Sequence, residues 1–229
     1  MKERERNLEI RFASMEDVEK ILELSDIALE RLSSKSKKEF TRELIRLHIF
    51  SPYSHILTAW YGEKLVAFIM YTTDNIAFNR FIKGPLVLIR ILFRLIIGAY
   101  SYNPRELFSF FRERSLFKRF VFFQKNKKED EQERENNLEY PPACLTAYAT
   151  HPSWRGIGIA TTLVQMMLEH LRKEGVNGIY AKVHHSNFPS LHTLSKLGFY
   201  KKGTIRETHS GTWFILVREI PKEGEGNEE

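Results

Sequence analysis

The chain has 229 residues, 42% of them apolar, which is enough for a sizeable α/β core and too much for a disordered protein. Its one cysteine excludes an intrachain disulfide, and the charged start Met1-Lys2-Glu3-Arg4-Glu5-Arg6 has no apolar stretch behind it to read as a secretory signal. The net charge of +6 is concentrated, with nine Arg or Lys against Glu106 and Glu113 between Arg80 and Phe120, so electrostatic reasoning about partners concerns that segment.

Residues 8–12 (LEIRF) alternate as a short strand, and Ser14 with Asp17 forms a capping-box pattern opening a helix to about Arg31. Val18, Ile21, Leu22, Leu24 and Ile27/Ala28 are spaced for its buried face. Ser36 with Glu39 repeats the signal for a second helix, with Phe40, Leu44, Ile45, Leu47 and His48 inward and Pro52 as its stop. A hairpin follows: strand 55–61, turn Gly62-Glu63-Lys64, strand 65–73. The returning strand is almost continuously apolar, as expected where a sheet is covered on both faces.

The pattern breaks between Ile76 and Tyr140. LVLIRILFRLIIGA after Gly84-Pro85 is apolar except for Arg90 and Arg94, and ten of the seventeen phenylalanines fall between Phe78 and Phe123. Pro104 opens a second helical stretch, and residues 125–139 are polar and mixed in charge. The pattern returns with a strand at 143–150 (ACLTAYAT), the loop HPSWRGIG, and a helix to about Glu174 with Leu163, Met166, Met167, Leu168 and Leu171 inward. Gly175 ends it. A strand at 178–183, a helix at 188–197, and strands at 200–206 and 212–220 complete the domain. The Gly/Glu-rich tail 221–229 reads as disordered. Cys144, set inside a strand, reads as a buried thiol.

Arg155-Gly156-Ile157-Gly158-Ile159-Ala160 stands between a strand and an amphipathic helix. Two glycines allow a tight turn and a close approach to a ligand. The unsatisfied amides of the next helix suit a pyrophosphate, to which Arg155 adds a charged donor. The spacing is neither that of a dinucleotide fingerprint nor that of a P-loop. On this segment alone, a helix entry that needs backbone freedom remains the other reading.

Arg155-xx-Gly158-x-Ala160, approached by Thr150-His151-Pro152, resembles the hallmark of the GCN5-related N-acetyltransferases (GNAT): Arg or Gln, two residues, Gly, one residue, then Gly or Ala. Asn187 with Gly198-Phe199 resembles a second family element. The resemblance covers 8–75 loosely and 140–219 well. It implies an α/β (α+β) fold with a mixed, mostly antiparallel twisted sheet flanked by helices and splayed at its centre. Residues 1–220 would form one such domain, carrying a helical basic and apolar insertion at 76–140.

The resemblance further implies acetyl-CoA as co-substrate, with no metal, and direct attack of a neutral primary amine on the thioester. Tyr148, Ala149 and Thr150 would pair with the pantetheine arm through their backbone. Arg155, Gly156, Ile157, Gly158, Ile159, Ala160 and Thr161 would take the pyrophosphate, and Asn187 the pantetheine. Positioning and oxyanion stabilisation would supply most of the rate.

Two family side chains are absent. Leu194 stands where many members carry a Tyr acid, and Lys182 where some carry a Glu base. Tyr148, His184, His185 and His192 are the substitutes nearby, each with a structural role as its alternative. His184 and His185 point to opposite faces if the strand runs through both. The missing pair also leaves open a catalytically inactive acyl-CoA-binding or membrane-associated module.

The insertion is expected at the edge where the acceptor cleft opens, building or covering the acceptor site. It has three open readings: a satellite core, a peripheral membrane contact attracted to anionic lipid, and a homodimer interface. An apolar or lipid-linked amine acceptor would suit it. Nucleic acid is not an expected partner, because the charge is interleaved with aliphatic residues and no nucleic-acid motif is present. A cytoplasmic location, free or associated with a membrane surface, is expected.

Overall fold

The computed structural model describes residues 8–29, 35–82, 84, 140–207 and 211–221. Strand β1 (Leu8–Phe12) is followed by a 3-10 turn at Met15–Asp17 and by helices α1 (Val18–Leu29) and α2 (Lys35–Phe50). Strands β2 (Ser54–Tyr61) and β3 (Lys64–Thr72) form the hairpin, and α3 (Asn75–Ile82) comes next. After the inserted segment come β4 (Ala143–Thr150), α4 (Ile159–Lys173), β5 (Gly178–His184), α5 (Phe188–Lys196), β6 (Tyr200–Glu207) and β7 (Gly211–Glu219). The two units into which the chain divides are residues 1–83 with 140–229, and residues 84–139. The expected helices of the insertion beyond Gly84, the end of α1 near Arg31 and the tail from 222 lie outside the described residues.

One seven-stranded sheet runs β1-β2-β3-β4-β5-β7-β6, antiparallel throughout except where β4 and β5 lie parallel. This is the mixed, mostly antiparallel sheet that the family resemblance implies. Leu65–Thr72 of β3 are all buried because apolar layers cover both faces of the sheet. On one face Val66, Ala67, Ile69 and Tyr71 pack with Leu163, Met167, Leu171 of α4 and Leu194 of α5. On the other, Leu65, Phe68 and Met70 meet Val18, Ile21, Leu22 and Leu24 of α1 and Ile45 of α2.

The start of α1 is fixed by charge. The Asp17 carboxylate accepts from the Ser14 backbone amide at 2.7 Å and from both Arg11 guanidinium nitrogens at 2.7 and 2.8 Å. Three local expectations need correction. Ile27 is 44% exposed and Met166 36% exposed, so the inward faces of α1 and α4 are narrower than their apolar spacing suggests. Helix α2 already includes Lys35, so Ser36 lies inside it rather than capping it.

Helix α3 falls where the sequence pattern breaks, a stretch in which no helix was expected before Gly84. It is pinned at its start, where the Asn75 amide donates to the Pro142 carbonyl at 2.7 Å and its side chain donates to the Tyr180 hydroxyl at 2.8 Å. Phe78, 5% exposed, places its ring 4.5 Å from that of buried His48.

Candidate functional site

Strands β4 and β5 pair at only three positions, Ala143 with Ile179, Cys144 with Tyr180 and Leu145 with Ala181. Beyond Leu145 they part, while β4 stays paired with β3 as far as Thr150 opposite Ala67. The parting coincides with a bulge in β4: Leu145 faces Tyr71 and Ala147 faces Met70, leaving Thr146 as an extra residue. A bulge bends its strand and increases its twist, which carries β4 away from β5. The backbone groups on the side of β4 turned away from β3 therefore face a gap, and a chain laid there can pair with them.

The bulge also changes which side chains face which layer. Ala143 and Leu145 belong to the layer under α4 and α5, and without the extra residue Ala147 would follow them. Instead Tyr148 joins that layer, and Ala147 and Ala149 join the opposite one.

At the open end the chain passes through His151 and a 3-10 turn at Pro152–Trp154. The His151 amide donates to the Val66 carbonyl at 2.8 Å, and the Trp154 ring is buried against Tyr61 at 4.8 Å. Between these anchors and buried Ile159, Gly156 and Gly158 adopt φ of 81° and 88°, a left-handed backbone that side chains disfavour. A Cβ on either glycine would meet nothing within 4 Å, so the space above the loop is open. The first helical bond of α4 runs from Thr162 to the Gly158 carbonyl, which leaves the amides of Ile159, Ala160 and Thr161 without partners inside the helix. The result is a concave set of donors at the positive end of a 15-residue helix.

Arg155 stands at the rim. Its Nε donates to the Thr150 carbonyl at 3.3 Å and one Nη donates to the Ala28 carbonyl, near the end of α1, at 3.2 Å. The guanidinium is thus positioned by two backbone oxygens beside the loop. Asn187 caps α5: its Oδ1 accepts from the Ser190 amide at 3.3 Å. It follows the end of β5, where its amide donates to the His184 carbonyl at 2.9 Å.

Tyr148 extends from β4 into the layer that contains Leu191, Leu194 and Phe199. Its hydroxyl is buried, and the Ser190 side chain approaches it more loosely than in a well-formed hydrogen bond. Burial raises its pKa, and the Ser190 hydroxyl opposes the rise. Leu194, fully buried, fills its position on α5 with hydrocarbon.

The strand does not run through both His184 and His185, so the condition for their pointing to opposite faces is not met. Strand β5 ends at His184, the Asn187 amide turns back to the His184 carbonyl at 2.9 Å, and the two rings lie 4.6 Å apart. His184 accepts or donates at Nδ1 to the Ser186 hydroxyl at 2.7 Å and stands edge-on to Trp213 at 5.2 Å. Lys182 and His192 are exposed. Cys144, packed beside Tyr180, has its thiol pushed up to about 11 by burial, so it carries no thiolate at neutral pH. Among the described residues, no three His, Cys, Asp or Glu are grouped to hold a metal ion.

Strand β3 ends and β4 begins at the closed end of the split. Thr72 pairs with Cys144, and Cys144 with Tyr180, while the glycine loop, Asn187 and the His184 turn all lie at the open end. Sequence reasoning also missed Ser190 and the Thr146 bulge. A serine three residues after an N-cap carries no distinctive signal, and an extra residue in a strand is visible only against its partner's register.

A family model described as the acetyltransferase (GNAT) family matches residues 120–199. No curated protein matches the chain at a significant level. Among solved structures, SsHAT is similar with a TM-score of 0.65 at 17% identity, covering 94% of this chain and 100% of that one. The ribosomal-protein-S18-alanine N-acetyltransferase from Escherichia coli is similar at 0.54 and 14% identity, covering 97% and 99%. The PaiA N-acetyltransferase from Thermoplasma acidophilum, in complex with coenzyme A, is similar at 0.51 and 15% identity, covering 93% and 98%. The chain carries the GNAT fold, with an added segment between β3 and β4.

Proposed function

From the GNAT fold of this chain we propose an acyl-CoA-dependent N-acyltransferase that moves acetyl from acetyl-CoA to a primary amine by direct attack. The observation that carries this reading is the pairing of an amide-lined loop, with Gly156 and Gly158 both left-handed, and a gap between β4 and β5 that begins at Thr146. A pyrophosphate suits the amides of residues 156–161, and Arg155 at the rim adds positive charge. The pantetheine arm, an extended chain with amide groups, suits the vacant edge of β4 at Tyr148, Ala149 and Thr150, with Asn187 after the end of β5. Holding amine and thioester together there supplies the larger part of the rate, and backbone donors near the bulge stabilise the oxyanion.

Tyr148, His184 and His185 remain the candidate proton carriers. The rings of His184 and His185 stand together at the turn after β5, beside β7. A cytoplasmic location is proposed from the lone, half-buried Cys144. Among the described residues no helix is long and apolar enough to cross a membrane. A catalytically inactive acyl-CoA-binding module is the second reading, favoured by the hydrocarbon at Leu194.

Calorimetry with coenzyme A tests the donor site, and thiol release across a panel of amines separates the two readings. We expect binding by the parent, and at least tenfold weaker binding by Gly158→Val. A branched side chain in the left-handed region would distort the loop at a backbone cost of about 1–2 kcal/mol. A folded parent giving no heat with coenzyme A would sink the acyltransferase reading. Binding without amine-dependent thiol release would favour the inactive module.

A further inference from the structure

A second group of ionisable side chains gathers at the end of α4 remote from the glycine loop. His170 lies in the last turn of that helix, about 18 Å along its axis from Gly158. In the sheet beneath, His55 of β2 stands opposite Tyr71 of β3. The His55 and His170 ring centres are 4.7 Å apart, and the Phe12 ring lies edge-on to both, at 5.7 and 5.1 Å. The Tyr71 hydroxyl is hydrogen-bonded to His170 Nδ1 at 3.0 Å. That leaves His170 Nε2 as the nitrogen turned toward Glu174, 4.0 Å from its carboxylate.

We propose that His55 and His170 are the two protein ligands of a divalent transition-metal ion of the zinc class, with Glu174 at its edge and water in the remaining positions. The inference does not rest on the acyl-CoA reading. Metal–nitrogen bonds of about 2.1 Å set the centres of two imidazoles on one ion about 5 Å apart. The pair here stands close to that separation, and imidazole is a ligand such ions prefer. His170 and Glu174 are four residues apart, which puts both on one helix face, and the Glu174 amide closes the turn onto the His170 carbonyl at 3.0 Å. No three such groups are already gathered around one point, so the ion would draw the site together rather than enter a finished cage. The Glu174 side chain, 56% exposed, is free to follow it.

The surroundings suit a cation. Burial lowers both imidazoles, His170 lowers His55 further and Lys173 lowers His170, with Glu174 opposing in each case. At neutral pH both rings are therefore uncharged, and the ion displaces no proton to bind them. The last turn of a 15-residue helix presents its negative end, and the Glu174 carboxylate adds to it. Of the opposing charges, Lys173 is paired with Glu169 at 3.2 Å. With the ion on Nε2, the His170 proton sits on Nδ1 and is donated to the Tyr71 oxygen, which fixes the ring. Tyr71 is fully buried, and burial keeps its phenol protonated, so it is a positioning residue and not a ligand. The ion would tie the last turn of α4 to β2.

The test titrates Zn²⁺ into the untagged, metal-free full chain at pH 7.5 by calorimetry, and follows the histidine ring protons by NMR. We expect an ion whose binding shifts the His55 and His170 signals and raises the denaturant midpoint. His55→Ala should weaken that binding at least tenfold and remove the rise in midpoint. Tyr71→Phe keeps both ligands and should weaken it about tenfold, the low end of the range for a partner that orients a ligand. A change in fold stability alone would leave the zinc affinity of the folded chain where it was. If His55→Ala does not fold, the parent's NMR decides: zinc-induced shifts that spare His55 and His170 overturn the proposal. So does equal binding by the parent and folded His55→Ala, an adventitious ion only, and so does a parent that binds no zinc. His184 and His185, 4.6 Å apart, are another close pair of rings. Binding lost in His185→Ala and kept in His55→Ala would put the ion there and sink the assignment.

Discussion

His48 is 3% exposed, with its Nδ1 bonded to the Ser54 hydroxyl and its ring against Phe78. The Ser54 hydroxyl donates its one proton to the Tyr71 carbonyl at 3.2 Å, so His48 must hold its proton on Nδ1 and donate it to Ser54. Burial pulls the ring down to about 3. His55 is also lowered, by burial and then by His170, and His170 by burial, with Glu174 opposing in both cases. A lowered folded value means that the unfolded chain binds protons first. Stability is then complete above about pH 6.5, the ordinary histidine value, and is lost as pH falls toward 3. We expect His48 to impose a slope of about 1.4 kcal/mol per pH unit within that window. Urea titrations at pH 7, 6 and 5 should show a shallower decline for His48→Gln than for the parent. Equal slopes would show that the ring is solvated.

At the scale of elements, the junction of β1 with α1 depends on one carboxylate. Burial alone would raise Asp17, but Arg11 and the Ser14 amide hold it below the usual range. Arg11→Met removes the cation and leaves Asp17, whose side chain is 5% exposed, with only the Ser14 donors. The Arg11 side chain is 39% exposed, so the loss should be about 2 kcal/mol, below that of a fully buried pair. Asp17→Asn should cost less, because the amide still accepts from Ser14. Denaturant midpoints of the two variants decide the order, and the reverse ranking would contradict this account. The pair between Arg42 and Glu19 at 2.7 and 3.0 Å ties α2 to α1, but Glu19 is 60% exposed and the pair contributes little.

For the whole molecule, seven strands and two apolar layers among the described residues come from outside 84–139. Residues 75 and 142 already meet through a 2.7 Å hydrogen bond, so the chain returns to the sheet without help from the segment. Replacing 84–139 with a flexible linker of about ten residues should leave a folded protein that binds coenzyme A within a few-fold of the parent. Loss of that binding in a folded variant, read by calorimetry, would show that the segment belongs to the donor site. The replacement removes eleven Lys or Arg and eight Asp or Glu, so the net charge falls from +6 to +3.

Periodicity and turn chemistry are local, and the sequence alone determined what they govern: the strand at 143–150, the hairpin at 54–72, the helix that follows Gly158, and the left-handed glycines of the loop. Only the tertiary structure decided how β4 sits against its neighbours. A bulge is a mismatch between two strands, so neither strand shows it by itself, yet it sets where the sheet parts and sends Tyr148 rather than Ala147 toward α5. Helix α3 was hidden for a similar reason, being held by Pro142, Tyr180 and His48, all distant in sequence. The chain specifies its elements through neighbours a few residues away, whereas the site arises from contacts between residues tens of positions apart, which no window of sequence contains.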